Sequence, residues 1–132
     1  EEPREKYFEL IKEGARTCID AKSRTYDFVE AIKLIESAKY TSSKKEEILQ
    51  LGRQHFDNKL ASASSEDEMN SIYKSRAELE ESAGHFEEAA QIAADILHDA
   101  QYASFLYKKA NRFDLAITVL EGDLEKLELE VV

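Results

Sequence analysis

The sequence predicts an all-helical domain, and three observations lead to this fold class. Glu, Lys, Ala, Leu and Ser dominate the composition, and most of these residues favour helices. One proline and four glycines among 132 residues are too few for the frequent turns of an all-β sandwich or barrel. Apolar residues make up 42 % of the chain and recur mainly at helical spacing. The length favours a single domain over residues 1–132.

The first half predicts three helices separated by polar breaks. The first covers residues 4–22, and the second follows a short connector, with Asp27 as its cap or in its first turn. Residues 44–61 form the third. Ser43 and Glu46 before and within it spell a capping box, in which each side chain accepts a hydrogen bond from a backbone amide of the helix start.

The second half predicts four further helices. Ser65 and Glu68 spell a second capping box for the fourth helix, which ends near Gly84 in a left-handed C-terminal position. The fifth and sixth helices cover residues 86–97 and 100–110. The seventh begins at about Phe113, after a tight turn, and Gly122 is expected to kink or stop it before a helical tail.

A repeat links three of these helices. The segments 28–35, 86–93 and 113–120 share the pattern Phe-x-x-Ala-[Ala/Ile]-x-[Ile/Leu/Val]-x without gaps, and their starts lie 58 and then 27 residues apart. A copy near Phe56 is degenerate or absent. We expect the aromatic side chain to fill the gap to the preceding helix, and the alanine to permit close backbone approach. Such units stack because none buries its apolar face alone.

The repeat resembles the helical hairpins of tetratricopeptide proteins. Residues 83–90 (AGHFEEAA) and 110–117 (ANRFDLAI) are similar to that family's turn and second-helix opening. The resemblance covers residues 69–121 well and 4–39 weakly, with an irregular helix at 43–62, and implies a right-handed α-solenoid of stacked antiparallel hairpins. The copies are 27 rather than 34 residues apart, and Glu80 stands where an apolar residue is expected.

Shortened hairpins of this kind are similar to the helical repeats of clathrin heavy chain, coat proteins and intraflagellar-transport subunits. That likeness implies protein scaffolding, often in membrane traffic. In tetratricopeptide arrays the exposed side of each first helix lines a partner groove, which here implies seven partner-binding residues. They are Ser71, Lys74, Glu78 and Glu81 from one hairpin, and Gln101, Phe105 and Lys108 from the next. The alternative is an ordinary solvated surface.

The acidic residues of this chain are concentrated in its second half. Residues 1–60 carry 12 acids and 12 bases, whereas residues 61–132 carry 16 acids and 6 bases, which gives the net charge of −10. Seven acids and no Lys or Arg lie between Ala77 and Tyr107. This charge disfavours nucleic acid and anionic membranes and favours a basic protein or peptide, unless it serves solubility alone.

No motif indicates catalysis, a cofactor or a metal. His55, His85 and His98 do not share ligand spacing, and the glycines are too isolated for a phosphate loop. Cys18 lies on the apolar stripe of the first helix, which is typical of a small core residue. A single cysteine favours a reducing, cytoplasmic location, and no signal peptide or membrane span is visible. The start without methionine predicts a processed or excised chain.

The leading functional hypothesis is a non-enzymatic interaction module or scaffold. The alternative is self-association as a homo-oligomer through the apolar tail residues Leu120, Leu124, Leu127 and Val131. A third hypothesis is a helical effector or enzyme domain, for which no motif is visible. Three aromatic residues of the sixth helix are expected to pack in the core, with a peptide-binding patch as the alternative. They are Tyr102, Phe105 and Tyr107.

Overall fold

A computed structural model describes the backbone of residues 2–22 and 26–131, and the side chains of residues 3–15 and 28–128. Throughout these ranges the regular structure is helical and no strand occurs, which confirms the all-α prediction. The helices are α1 (Glu2–Lys22), α2 (Tyr26–Ser37), α3 (Ser42–Ala61), α4 (Glu66–Ser82), α5 (Phe86–Asp95), α6 (Ala100–Lys109) and α7 (Phe113–Val131).

The chain divides into two compact units, Glu1–Ser62 and Ala63–Val132. The first unit contains α1–α3, and the second contains α4–α7. Within each unit, helices that are consecutive in the sequence pack against each other. The expectation of one domain over residues 1–132 stays a prediction.

In the first unit, α1 runs antiparallel to α2. The Arg4 guanidinium donates to the carbonyl of Ala38 over 2.9 Å, and the Tyr40 hydroxyl donates to the carbonyl of Arg4 over 2.8 Å. The Arg4 guanidinium also lies 4.2 Å from the centre of the Tyr40 ring. The start of α1 is therefore fixed at the end of α2.

Ion pairs place α3 beside α1 in the same direction. Lys44 Nζ lies 3.0 Å from Glu5 Oε2 near the start of both helices, and Lys12 Nζ lies 2.6 Å from Glu47 Oε2 further along. The hydrogen bond to Glu47 raises the pKa of Lys12. Between the helices the side chains of three phenylalanines are almost completely buried, and these are Phe8, Phe28 and Phe56.

In the second unit, α5 contributes the smallest side chains to the core. Ala89, Ala90 and Ala93 are completely buried, and they pack in one cluster with Ala103 and Leu106 of α6. The alanine of every aligned repeat is buried, since Ala31 and Ala116 are also at most 3 % exposed. This supports the expectation that the alanine permits close helix packing.

The connections from α4 to α5 and from α6 to α7 have the same geometry. Gly84 has φ +86°, and the amide of the next residue, His85, donates to the carbonyl of Glu80 over 2.9 Å. Asn111 has φ +61°, and the amide of Arg112 donates to the carbonyl of Tyr107 over 2.8 Å. Both are Schellman turns, 27 residues apart, and each is followed directly by a helix that begins with phenylalanine.

The predicted capping boxes are correct only in part. The Ser65 hydroxyl accepts from the amide of Glu68 over 3.1 Å, as predicted, although the Glu68 carboxylate accepts from Ser64 instead of Ser65. The box of Ser43 and Glu46 is wrong. Thr41 is the N-cap of α3, and its hydroxyl accepts from the amide of Lys44 over 3.4 Å, so that the helix already begins at Ser42.

Three further expectations need correction. α7 does not stop at Gly122 but continues to Val131, because a glycine inside a helix keeps its backbone hydrogen bonds. α5 ends at Asp95, two residues before its predicted end at Leu97. Phe113 does not fill a gap to the preceding helix but is 58 % exposed, because no helix among the described residues covers it.

Glu80 stands where the repeat pattern calls for an apolar residue, and it is buried among polar groups. Its Oε1 lies 3.1 Å from Nδ1 of His85, and its Oε2 lies 3.7 Å from Nε of Arg76. His85 lies at hydrogen-bonding distance, and Arg76 supplies the opposite charge that a buried carboxylate requires. A polar cluster therefore replaces the apolar contact that the resemblance implied.

Replacement by alanine should have opposite effects on stability at Gly84 and at Gly122. A Cβ atom would meet open space at both Gly84 and Gly122, so the backbone alone decides the result. Gly84→Ala should lower the free energy of unfolding by about 1 kcal/mol, because its φ is left-handed. Gly122→Ala should raise it by about 0.5–1 kcal/mol inside α7. Urea unfolding measures both, and two changes of the same sign would contradict the assigned backbone.

Candidate partner-binding surface

The predicted groove residues lie along one face of α4 and one face of α6. Spacings of three and four residues keep each set on one side of its helix. We call this surface, formed by the seven predicted residues, the α4/α6 surface. Six of the seven are exposed, and these are Ser71, Lys74, Glu78, Gln101, Phe105 and Lys108.

Glu81, the seventh residue, joins the two helices. Its Oε1 accepts a 2.8 Å hydrogen bond from the Tyr102 hydroxyl, and its Oε2 lies 3.2 Å from Nζ of Lys109. Tyr102 and Lys109 are seven residues apart and therefore lie on the same face of α6. One carboxylate of α4 thus contacts two turns of α6 and fixes the position of both side chains.

Lys109 lies between two aromatic rings. Its Nζ is 4.6 Å from the centre of the Phe105 ring and 5.4 Å from that of Phe86. Phe105 nevertheless leaves 47 % of its surface exposed, whereas Tyr107 on the other side of α6 is buried. The expected core packing is confirmed for Tyr107 and is wrong for Phe105.

The surroundings of the two tyrosines change their acidity. Burial, together with the hydrogen bond to Glu81, raises the pKa of the Tyr102 phenol well above its ordinary range. Burial also raises the pKa of Tyr107, with a contribution from the charge of Asp95. Tyr102 therefore acts as a neutral hydrogen-bond donor to Glu81 at neutral pH.

The acidic stretch between Ala77 and Tyr107 is not a uniform negative face. Three of its seven acids lie beside basic side chains: Glu80, Glu81 and Glu87, of which Glu87 lies 3.1 Å from Arg112. A fourth, Asp99, caps α6 by accepting from the amide of Tyr102. The α4/α6 surface itself has mixed charge, since Lys74 and Lys108 balance Glu78 and Glu81.

The sequence did not predict Lys109 and Phe86, which border the α4/α6 surface. Lys109 is 28 residues from Glu81, so no local pattern pairs them. The available signal was the repeat itself, because one hairpin period brings the end of α4 close to the end of α6. Tyr102 was noticed as an aromatic residue, but its hydroxyl contact with Glu81 was not predicted.

Other candidate sites remain without support among the described residues. No group of three or more His, Cys, Asp or Glu side chains there could hold a metal ion. An open pocket of about 210 Å³ lies between the end of α5 and α7, and His98, Asp95 and Lys126 contribute to its wall. It contains none of the predicted residues. The side chain of Cys18 lies outside the described residues, as does that of Val131.

No helix in the described ranges combines the length and the apolar character that a membrane span requires. Comparison with protein-family models, with curated proteins and with solved structures finds no match for this chain. The resemblance to helical-hairpin repeats is therefore carried by the sequence pattern.

Substitutions at Glu81, Tyr102 and Lys109 should show how much each of the two Glu81 contacts contributes to stability. In a double-mutant cycle, Glu81→Gln and Tyr102→Phe should show a coupling of about 1 kcal/mol, because the shared hydrogen bond involves a charged acceptor. Glu81→Gln and Lys109→Gln should couple by less than about 0.5 kcal/mol, since that ion pair is solvated. Urea unfolding of the variants measures both couplings. A larger coupling to Lys109 than to Tyr102 would contradict the geometry.

The raised pKa of Tyr102 predicts a loss of stability in alkali. The unfolded phenol ionises at about its ordinary pKa of 10.0, and the folded phenol ionises only at higher pH. Its contribution to stability is therefore complete below pH 10 and declines above it. The difference in unfolding free energy between the wild type and Tyr102→Phe should shrink between pH 9 and pH 11. A constant or growing difference would disprove the assignment.

Proposed function

We propose that this chain is a non-enzymatic protein-interaction module or scaffold segment that binds a protein or peptide through the α4/α6 surface. The observation that carries the proposal is the exposure of Phe105 beside fixed polar groups. An exposed aromatic side chain that becomes buried when a partner binds is typical of the few residues that contribute most of the binding energy at an interface.

The contacts of Glu81 support this role because they hold the surface in one arrangement. Glu81 accepts the Tyr102 hydroxyl, and Lys109 lies beside both Glu81 and the Phe105 ring, so part of the entropy cost of ordering this surface is met before a partner binds. Around Phe105, charged and amide side chains form a polar rim. This combination of an exposed apolar centre and a polar edge is typical of a binding surface.

The parent architecture that we propose is a right-handed stack of helical hairpins. The two Schellman turns, 27 residues apart, support it, as does the buried alanine of each repeat. By resemblance to coat and intraflagellar-transport repeats, we place the chain in a scaffold of cytoplasmic membrane traffic or transport. Its partner class is a protein or peptide. The net charge of the whole chain, rather than that of the balanced α4/α6 surface, favours a basic one during encounter.

The proposed function predicts that a specific partner is lost when Phe105 is replaced. Affinity capture from lysate should use the wild type, Phe105→Gln and Glu78→Lys, and the charge-matched control Glu88→Lys on the exposed face of α5. Glu81 is left intact because it also stabilises the fold. Quantitative mass spectrometry should find a protein retained by the wild type and the control but reduced about tenfold or more by Phe105→Gln, which corresponds to ~1.4 kcal/mol.

Purified partner and titration calorimetry then confirm direct binding. If every captured protein is retained equally by Phe105→Gln and by the wild type, the α4/α6 surface is not the binding site. Circular dichroism of each variant verifies that the helical content is unchanged.

A further inference from the structure

The last helix carries an apolar stripe that no described residue covers. Phe113, Ile117, Leu124 and Leu127 are 58 %, 57 %, 60 % and 50 % exposed, and Leu120 lies among them half-buried. The intervals along this stripe alternate between four and three residues, which is the spacing of a helix-pairing seam. From Phe113 to Leu127 the stripe is about 21 Å long. We call these five residues the α7 stripe.

The repeat register shows what normally lies at these positions. Aligned without gaps, Phe113, Ile117 and Leu120 correspond to Phe86, Ala90 and Ala93 of α5. Ala90 and Ala93 are completely buried in the cluster that α5 shares with α4, α6 and α7, and Phe86 packs against it with Lys109 of α6 beside its ring. The equivalent face of α5 is thus occupied by a helix. On α7 the same face carries larger apolar side chains and, within the described ranges, has no helix on it.

Negative charge follows one edge of the α7 stripe. Asp114, Glu121, Glu125 and Glu128 lie 60–120° around the helix from the stripe, by about 100° per residue, and all four are exposed. The opposite edge borders the body of the unit, where Ala116 is buried. α7 contains six acids and one lysine, so half of the net charge of −10 belongs to this helix.

Several acids nearer the core lie beside bases, whereas Glu121, Glu125 and Glu128 do not. Glu81 pairs with Lys109 and Glu87 with Arg112, and Asp114 lies 3.4 Å from Arg112. Among the described residues, no ion pair involves Glu121, Glu125 or Glu128. The acidic edge beyond the first turn of α7 is therefore available to an external cation.

We propose that the α7 stripe is a docking site for an amphipathic helix of another polypeptide that carries Lys or Arg along one border of its apolar face. The helix would occupy the place on α7 that α6 occupies on α5. Apolar burial supplies the affinity, and pairing with the acidic edge selects the partner and its orientation. This inference goes beyond the proposed function, because the α7 stripe is separate from the α4/α6 surface.

A second copy of the chain fits this site poorly. In an antiparallel pair of α7 helices, the acidic edge of one copy faces the acidic edge of the other. In a parallel pair, the same edge faces Ala116 and Asp123, which offer no positive charge. Like charges along a helix seam destabilise pairing, so the charge pattern discriminates against self-association and in favour of a basic helix.

Two synthetic peptides test the proposal directly. Each has three heptads with Ile and Leu in the apolar seam; one has Lys at the flanking positions and the other has Glu. Fluorescence anisotropy should show that the chain binds the Lys peptide at least about tenfold more tightly than the Glu peptide at low salt, and that the preference declines as salt rises.

Substitutions show whether the Lys peptide binds at the α7 stripe rather than at the α4/α6 surface. Ile117→Gln with Leu124→Gln should weaken binding of the Lys peptide about tenfold or more, because each removes an apolar contact of the seam. Glu121→Lys with Glu128→Lys should abolish the preference for the Lys peptide. The control Ile96→Gln replaces an exposed apolar residue outside the stripe, and Phe105→Gln alters only the α4/α6 surface; both should bind normally.

The outcomes are distinct. Equal binding of both peptides, or no binding of either, overturns the proposal. A dimer in light scattering that Leu124→Gln dissociates would show that a second copy occupies the stripe instead. Normal peptide binding by Phe105→Gln separates this result from the fate of the proposed function, and circular dichroism excludes unfolding as the cause.

Discussion

The close packing of α5 is the constraint on which the second unit depends. Because Ala89, Ala90 and Ala93 have almost no side chain, the backbones of neighbouring helices approach α5 closely. Glu81 at the end of α4 can then reach Tyr102 and Lys109 on α6. Larger residues in α5 would separate these helices and break both contacts. The arrangement of the α4/α6 surface therefore originates in a buried row of alanines rather than in the surface itself.

Positions that are covered by a neighbouring helix on α5 are exposed at Phe113 and Ile117 of α7. α5 has α6 on its Phe86 face, whereas α7 has the same register and no helix there in the described part of the chain. Its apolar side chains are also larger than those of α5, so an incoming helix would lie further from the α7 backbone. Charge adds specificity to this apolar face, since several acids near the core lie beside bases, whereas Glu121, Glu125 and Glu128 of α7 do not.

The sequence predicted the features that local chemistry determines. The helix start at Ser65, the left-handed Gly84 and the burial of the repeat alanines each follow from a few neighbouring residues. Thr41 competed with two adjacent serines for the cap of α3, so the residue type alone did not decide between them. The contact between Glu81 and Lys109 spans 28 residues and depends on the stacking distance. The exposure of Phe113 depends on a neighbouring helix, which no local pattern can show.

Hydroxyl-radical footprinting of the whole chain would test the central claim most directly, namely that the α7 stripe is exposed to solvent whereas the residues of the helical core are buried. Phe113 and Phe56 provide a comparison within one residue type, because the first is 58 % exposed and the second is completely buried. The account predicts rapid oxidation of Phe113 and Leu124, slow oxidation of Phe56 and Leu106, and rates independent of protein concentration. Protection of Phe113 and Leu124 equal to that of the core residues would contradict it.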